Sequence, residues 1–214
     1  MKKRLCGYAL LGVLATGLAG VASAAVSLDT LVATDGTITV GDKTFGNFSW
    51  NGPDLQVTGV GNGTVGNLYG LSFQGGLYQL GAGSVSYQLD YTVTAGPGYR
   101  IDDLYEQANY NAIGGSVNIS EVVLTSPGGT QVGQAVVGTG YSPSTVANLS
   151  GAFKELWVQK SIVLTATGPG DFAVASIIDQ RFSQTVPEPA TCVAGLGGLL
   201  LAAAVTSRRK ARRA

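Results

Sequence analysis

The stretch SVSYQLDYTVT, residues 84–94, decides the fold class. Val85, Tyr87, Leu89, Tyr91 and Val93 alternate with Ser84, Ser86, Gln88, Asp90, Thr92 and Thr94. Successive side chains of an extended backbone point to opposite faces, so this alternation is a strand with one buried and one wet face. A helix would need apolar residues three as well as four apart, and here no two of them are three apart.

Working outward, ELWVQKSIVLTAT at 155–167 repeats the pattern, with Leu156, Val158, Ile162 and Leu164 on one face. Lys160 interrupts that face, which reads as a sheet edge or a bulge. FAVASIIDQRF at 172–182 reads as the last strand. Shorter strands are expected at 37–40, 43–50, 54–60, 67–74, 115–124 and 130–137. Turn residues separate them: Asp35-Gly36, Asn51-Gly52-Pro53, Asn62-Gly63, Gly75-Gly76, Gly96-Pro97-Gly98, Pro127-Gly128-Gly129 and Gly168-Pro169-Gly170. Only IDDLYEQANYNA, 101–112, could hold a helical turn. About nine strands without a long helical period predict a mainly β domain, an antiparallel, jelly-roll-like β-sandwich. Its core should take Phe45, Phe48, Trp50, Phe73, Tyr87, Leu89, Trp157 and Ile162.

Charge is distributed unevenly. Eight of the 13 basic residues lie in the two ends of the 214-residue chain. Residues 25–186 keep five, Lys43, Arg100, Lys154, Lys160 and Arg181, against 12 acidic residues, a net charge of −7. Phosphate binding needs clustered Lys and Arg, so nucleic acid is excluded as a partner. Cys6 and Cys192 also lie in the end segments, and the chain has no histidine. Disulfides, thiolate or histidine metal sites and Ser-His or Cys-His nucleophiles are therefore excluded from the body. No cofactor is implied.

The first 24 residues have the layout of a signal peptide. A cationic start (Lys2, Lys3, Arg4) precedes an apolar run from Leu5 to Leu18, and Ala22-Ser23-Ala24 supplies the small residues of a cleavage site. At the other end VPEPAT, 186–191, precedes 17 uncharged residues at 190–206 and the basic tail 207–214. As a helix, that run spans roughly 25 Å at 1.5 Å per residue, near the lower limit for a bilayer core of about 30 Å. Arg208, Arg209, Lys210, Arg212 and Arg213 then stop transfer and stay cytoplasmic. Pro187 and Pro189 lack amide hydrogens and impose extended geometry on the residues before them. They make a stiff, solvated spacer between the body, 25–185, and the membrane.

The order VPEPAT, Gly/Ala/Leu membrane run, Arg-rich terminus resembles the PEP-CTERM sorting signal, also called an ice-binding protein C-terminal domain. Pro187, Glu188 and Pro189 carry the motif. The resemblance covers roughly residues 186–214 and implies a substrate of exosortase, an integral-membrane processing enzyme. It also implies the Sec translocon and signal peptidase as partners in export. The destination would be the cell surface or extracellular matrix of a Gram-negative-type bacterium, after a transient precursor anchored in the inner membrane. Cys192 departs from the usual apolar pattern. GDKTFGNFSW at 41–50, GLSFQGG at 70–76, DYTVTA at 90–95 and VASIIDQRFSQTVPEPAT at 174–191 resemble ectodomains found ahead of such tails. That likeness implies fold and export only.

Little in the body points to chemistry. GNGTVG at 61–66 matches G-x-G-x-x-G, but NLYGLSFQGG follows it without a helical period, so a hairpin turn is expected rather than a phosphate loop. Asp102, Asp103 and Glu106 cluster in sequence and, with Asn109, are oxygen donors of the kind calcium takes, although their spacing matches no defined loop. Solvated loop acids are the blander account of them. A glycosidase needs two acids facing across a cleft, which spacing alone does not show. Asn47, Asn62, Asn118 and Asn148 fit the N-x-[ST] pattern, which chance produces readily in an Asn- and Ser-rich chain. Tyr69, Tyr78, Tyr99, Tyr105, Tyr110 and Tyr141 lie in or near expected loops, as a sugar-stacking platform or as half-buried packing.

The leading expectation is a non-enzymatic, structural or adhesive surface protein. The alternative is a polysaccharide-binding β-sandwich, assisted by calcium. A carboxylate glycoside hydrolase ranks third.

Overall fold

The computed structural model describes residues 24–62, 68–183 and 185. The expected sorting motif, membrane helix and basic tail, and the signal segment before Ala24, lie outside the described residues. Among the described residues no helix is long and apolar enough to cross a membrane.

The chain begins with strand β1 (Val26–Ser27) and a short helix α1 (Leu28–Thr34). The Ser27 hydroxyl accepts from the Thr30 amide at 3.3 Å, and Asp35 ends the helix in the left-handed region at φ 49°. Leu28 and Leu31 seat it on the sandwich. Strands follow in unbroken succession. They are β2 (Ile38–Val40), β3 (Lys43–Trp50), β4 (Gln56–Asn62), β5 (Leu68–Leu80), β6 (Gly83–Ala95) and β7 (Ile101–Ile113). The second half comprises β8 (Gly115–Leu124), β9 (Gln131–Gly138), β10 (Ser144–Phe153), β11 (Glu155–Ala166) and β12 (Phe172–Phe182).

These strands build two six-stranded antiparallel sheets. Sheet I has the order β1-β4-β5-β12-β7-β10 and sheet II the order β2-β3-β6-β11-β8-β9. Within them β5 pairs with β12, β6 with β11, β7 with β10 and β8 with β9. The last four strands thus retrace the preceding four in reverse, as one long ribbon folded over itself. The β12–β7 and β11–β8 pairings close the two sheets at their centres. The expectation of an antiparallel two-sheet sandwich holds.

The alternation at 84–94 works as expected: Leu89, Tyr91 and Val93 are buried, and Val85 and Tyr87 are half-buried on the same face. Tyr91 sits at the middle of an aromatic cluster, with ring centroids 6.2 Å from Phe45, 5.8 Å from Phe48 and 6.0 Å from Phe73. Burying each such ring contributes about 1.5–3 kcal/mol. Phe45, Phe48, Phe73, Leu89 and Ile162 are in the core as expected. Trp50 and Tyr87 pack half-buried against it, 5.6 Å apart between centroids.

Several expectations need correction. Residues 101–113 hold no helical turn but form β7, a 13-residue strand pairing with both β12 and β10. Gly75-Gly76 is no turn, since β5 runs through it to Leu80. Trp157 faces away from the core, because the inward phase of β11 belongs to Leu156 and Val158. Lys160 marks neither an edge nor a bulge. It lies in a central strand whose register with β6 and β8 is unbroken, and it is fully buried. Strand β10 and helix α1 answer no expectation.

Candidate functional site

The structure gathers polar side chains at two places on the same pair of strands. The first is inside. Lys160 on β11 and Glu121 on β8 are register partners in sheet II, and Gln180 on β12 and Glu106 on β7 are partners in sheet I. All four are completely buried and meet across the sandwich. Lys160 Nζ donates to Glu106 Oε1, to Glu121 Oε2 at 2.6 Å and to Gln180 Oε1 at 2.9 Å. Two carboxylates against one cation are too many negative charges for a dry interior. Burial pushes the Glu121 carboxyl up to about 7, with Lys160 opposing the shift and Glu106 adding to it. Burial pulls on the Lys160 ammonium, but Glu106 and Glu121 outweigh it and hold the group above its ordinary value. Burial, then the Glu121 and Glu106 charges, raises the nearby Tyr91 phenol. Glu106 Oε2, Glu121 Oε1, Gln180 Nε2 and the Tyr91 hydroxyl find no hydrogen-bond partner.

The second place is the outer face of sheet I, one residue along from the first. Register lays out three rungs across its central strands. Arg181 lies beside Tyr105, Asp179 beside Gln107 and Ile177 beside Asn109, and the bulge between Ile177 and Ala175 follows directly after this last rung. The middle rung continues outward through Ser72 and Thr58 on one side and Ser144 on the other. The bulge matters because it offsets β12 against both neighbours at once. Beside it opens a cavity of about 400 Å³ lined by Gln107, Ala108, Asn109, Pro143, Ile177 and Asp179.

The polar groups around this groove are incompletely used. Arg181 lies 5.8 Å from the Tyr105 ring centre and reaches Asp179 at only 3.7 Å. The Tyr105 hydroxyl donates to Gln107 Oε1 at 2.6 Å. Asp179 Oδ1 and Arg181 Nε have no partner. At Gly70, beside Arg181, a β-carbon would collide with the backbone oxygen of Gln180, so only glycine lets β5 and β12 approach there. The groove therefore offers a carboxylate acceptor and amides that both donate and accept, with the Arg181 guanidinium and the Tyr105 ring on the next rung of the same face.

The residues singled out by sequence fall differently. Asp102 and Asp103 accept from the Ser183 hydroxyl at 2.7 Å and the Ser183 amide at 3.3 Å. Glu106 points into the core instead of joining them, and Asn109 faces the groove. Among the described residues no group of three or more acidic, Cys or His side chains gathers to hold a metal. Glu106 and Glu121 do face each other, but in the sealed interior where no substrate reaches. Of GNGTVG, Gly63–Gly66 lie outside the described residues. A strand follows, paired antiparallel from Asn62 with Leu68, where a dinucleotide site needs a helix. Of the tyrosines, Tyr78 at 60% and Tyr141 at 56% are the strongly exposed ones, Tyr110 donates to the Gly138 carbonyl at 2.8 Å, and Tyr105 lies one rung from the groove with its hydroxyl on the lining residue Gln107. Sequence reasoning missed Gln107, Pro143, Ile177, Asp179 and Arg181.

No family model matches the chain, and no curated protein matches it. Among solved structures, TmCBM61 in complex with beta-1,4-galactotriose is similar over 63% of this chain and 87% of that one. The identity is 18% and the TM-score 0.32, a likeness too loose to assign this chain a fold or a ligand.

Proposed function

We propose that the body is a non-enzymatic, polysaccharide-binding β-sandwich of jelly-roll type, with its site on the outer face of sheet I. The observation that carries this reading is the groove of about 400 Å³, lined by the side-chain amides of Gln107 and Asn109 and by the partly exposed carboxylate of Asp179. Sugar hydroxyls donate and accept at once, and a cleft with acceptor, donor and amide groups beside an aromatic ring matches that chemistry. The nested strand pairing supports the jelly-roll description. The net charge of −7 in residues 25–186 favours neutral over acidic polysaccharide. Affinity electrophoresis of the full chain through gels containing β-1,4-linked galactan, glucan or xylan tests it. The expected result is retardation by at least one polymer, lost in Asp179→Ala. Migration unchanged by any of them would overturn the reading.

The second reading concerns destination. We propose that the chain is exported by the Sec route, trimmed at Ala24 by signal peptidase, and sorted by exosortase through Pro187-Glu188-Pro189. Its support is the order of spacer, 17-residue uncharged run and five cationic residues at 186–214. The C-terminus of the surface form, read by mass spectrometry in cells with and without the sorting enzyme, tests it. An intact RRKARRA end on that form would sink it.

A further inference from the structure

We propose that Lys160 and Gln180 join in an intramolecular isopeptide bond, Lys160 Nζ to Gln180 Cδ, with Glu106 and Glu121 moving the protons. The geometry is that of a reactive pair held in place. Lys160 Nζ lies 2.9 Å from Gln180 Oε1, and the carboxamide carbon is one bond beyond. The two residues sit on the central strands of opposite sheets, so neighbouring strands on both sides fix their approach. Both are completely buried, and water, the competing nucleophile, has no access.

Each partner has a carboxyl beside it in register, Glu121 next to Lys160 and Glu106 next to Gln180. Both carboxyls contact the amine. A carboxylate anion is a poor electrophile, whereas a carboxamide is neutral and its nitrogen leaves as ammonia. That nitrogen, Nε2, makes no hydrogen bond of good geometry, and Gln180 is close enough to Glu121 to oppose the rise of its carboxyl pKa.

Glu106 takes a proton from the Lys160 ammonium, replacing an ion pair in a dry site by a neutral acid and a neutral amine. The amine lone pair attacks Gln180 Cδ, and a tetrahedral centre forms. Glu121 passes its proton to Nε2 and, now a carboxylate, takes the second amine proton, so that both carboxyls end protonated. The Cδ–Nε2 bond then breaks and ammonia departs. One C–N bond has formed and one has broken, with no oxidant or metal required. Glu121, whose carboxyl burial raises to about 7 so that it still carries a proton in much of the population near neutral pH, is placed beside the amine to supply the proton to the leaving nitrogen. The reaction removes both members of a buried ion pair, so it relieves the desolvation cost of keeping them. The product ties sheet I to sheet II at their centres in a body whose residues 25–186 contain no cysteine for a disulfide.

Intact-mass measurement of the purified full chain tests the bond. The expected mass is below that of the sequence, between the termini found, by one ammonia. Trypsin should fail to cut after Lys160 and release residues 155–181 as one internally looped peptide lacking that ammonia. Full sequence mass with free cleavage after Lys160 would overturn the proposal. So would loss of water in place of ammonia, which makes a glutamate the electrophile, or an ammonia loss mapped elsewhere, as at Asn62-Gly63. Glu121→Gln, checked for folding by circular dichroism, should retain its ammonia; a cross-link formed in that folded variant removes Glu121 from the mechanism. If the variant does not fold, the wild-type mass and peptide map still decide.

Discussion

Strands β7 and β12 carry polar residues on both faces, and the two faces obey different rules. Inward, Glu106 and Gln180 meet Lys160 and Glu121 with no solvent. Outward, one residue along each strand, Gln107 and Asp179 border an open groove. In the interior an unmatched charge costs several kcal/mol, so each group depends on its neighbours. At the groove the Gln107 and Asn109 amides are exposed and the Asp179 carboxylate is partly exposed, so solvent satisfies what the protein leaves unpaired and a ligand can replace it. Removing a group inside should therefore cost stability, while removing one outside should cost binding and leave the fold intact.

The harshest way to break that contrast is Lys160→Met made in a Gln180→Met background, where no cross-link can form and the change leaves Glu106 and Glu121 facing each other without a cation. Urea unfolding at neutral pH should show a loss of about 3–5 kcal/mol, the range for stripping one partner from a buried ion pair. Polysaccharide retention by whatever fraction stays folded should be unchanged. A loss below 1 kcal/mol would mean that the interior cluster holds little of the fold.

Proton linkage gives the next effect, best read in Gln180→Met, where Lys160 must remain a free amine. The Glu121 carboxyl lies at about 7 in the folded chain against 4.5 when unfolded. The folded state therefore binds this proton more tightly. The stabilisation is complete below about pH 4.5 and is lost as pH rises through about 7. It amounts to about 3 kcal/mol, at about 1.4 kcal/mol per pH unit. Urea midpoints measured across that window should fall with rising pH, and adding Glu121→Gln should flatten the slope. A slope of opposite sign would show that Glu121 is ionised inside the fold.

The outer face supplies the third comparison. Asp179→Ala removes a carboxylate whose Oδ1 has no partner, so stability should change by less than about 0.5 kcal/mol. A hydrogen bond from a sugar hydroxyl to a charged acceptor is worth about 1.5–3 kcal/mol, so retention by polysaccharide should weaken about 10- to 100-fold. Loss of stability without loss of retention would place Asp179 among the structural groups and close the groove as a site.

How much of this was legible depends on the phase of each strand. At 84–94 and 155–167 large apolar residues hold one phase, so the strands and the two-sheet sandwich could be read from periodicity. At 101–113 the inward phase is Leu104, Glu106 and Ala108, one strong hydrophobe, one acid and one small residue. The apolar signal therefore vanishes, and a helical turn looked plausible. The outward phase, Tyr105, Gln107, Asn109 and Asn111, was visible as a period-two polar stripe, and reading it would have found half the groove. Asp179 and Arg181 alternate with buried Ile178, Gln180 and Phe182 in the same way. Helix α1 carried a legible signature, an N-cap Ser27, an acidic first turn at Asp29 and the stop Asp35-Gly36, obscured by its seven-residue length. The meeting of Lys160 with Glu106 and Gln180 could not be read, because it brings together residues 54 and 20 positions apart from opposite sheets. Lys160 was visible only as a fault in a pattern.

Tyr105→Ala is the smallest and most discriminating change. The ring lies one rung from the groove, stacks with Arg181 and carries a hydroxyl bonded to the lining residue Gln107, so it serves both packing and display. If its main part is a stacking surface for a sugar ring, truncation should weaken retention about 3- to 10-fold, in line with the roughly 0.5–1.5 kcal/mol of an aromatic contact. Tyr105→Phe separates the hydroxyl from the ring. It keeps the surface and frees the Gln107 amide, so retention should stay within about twofold of the parent. If Phe weakened binding as much as Ala, the hydroxyl and its hold on Gln107 would be the working part. The outer face would then resemble the interior more than the contrast between them allows.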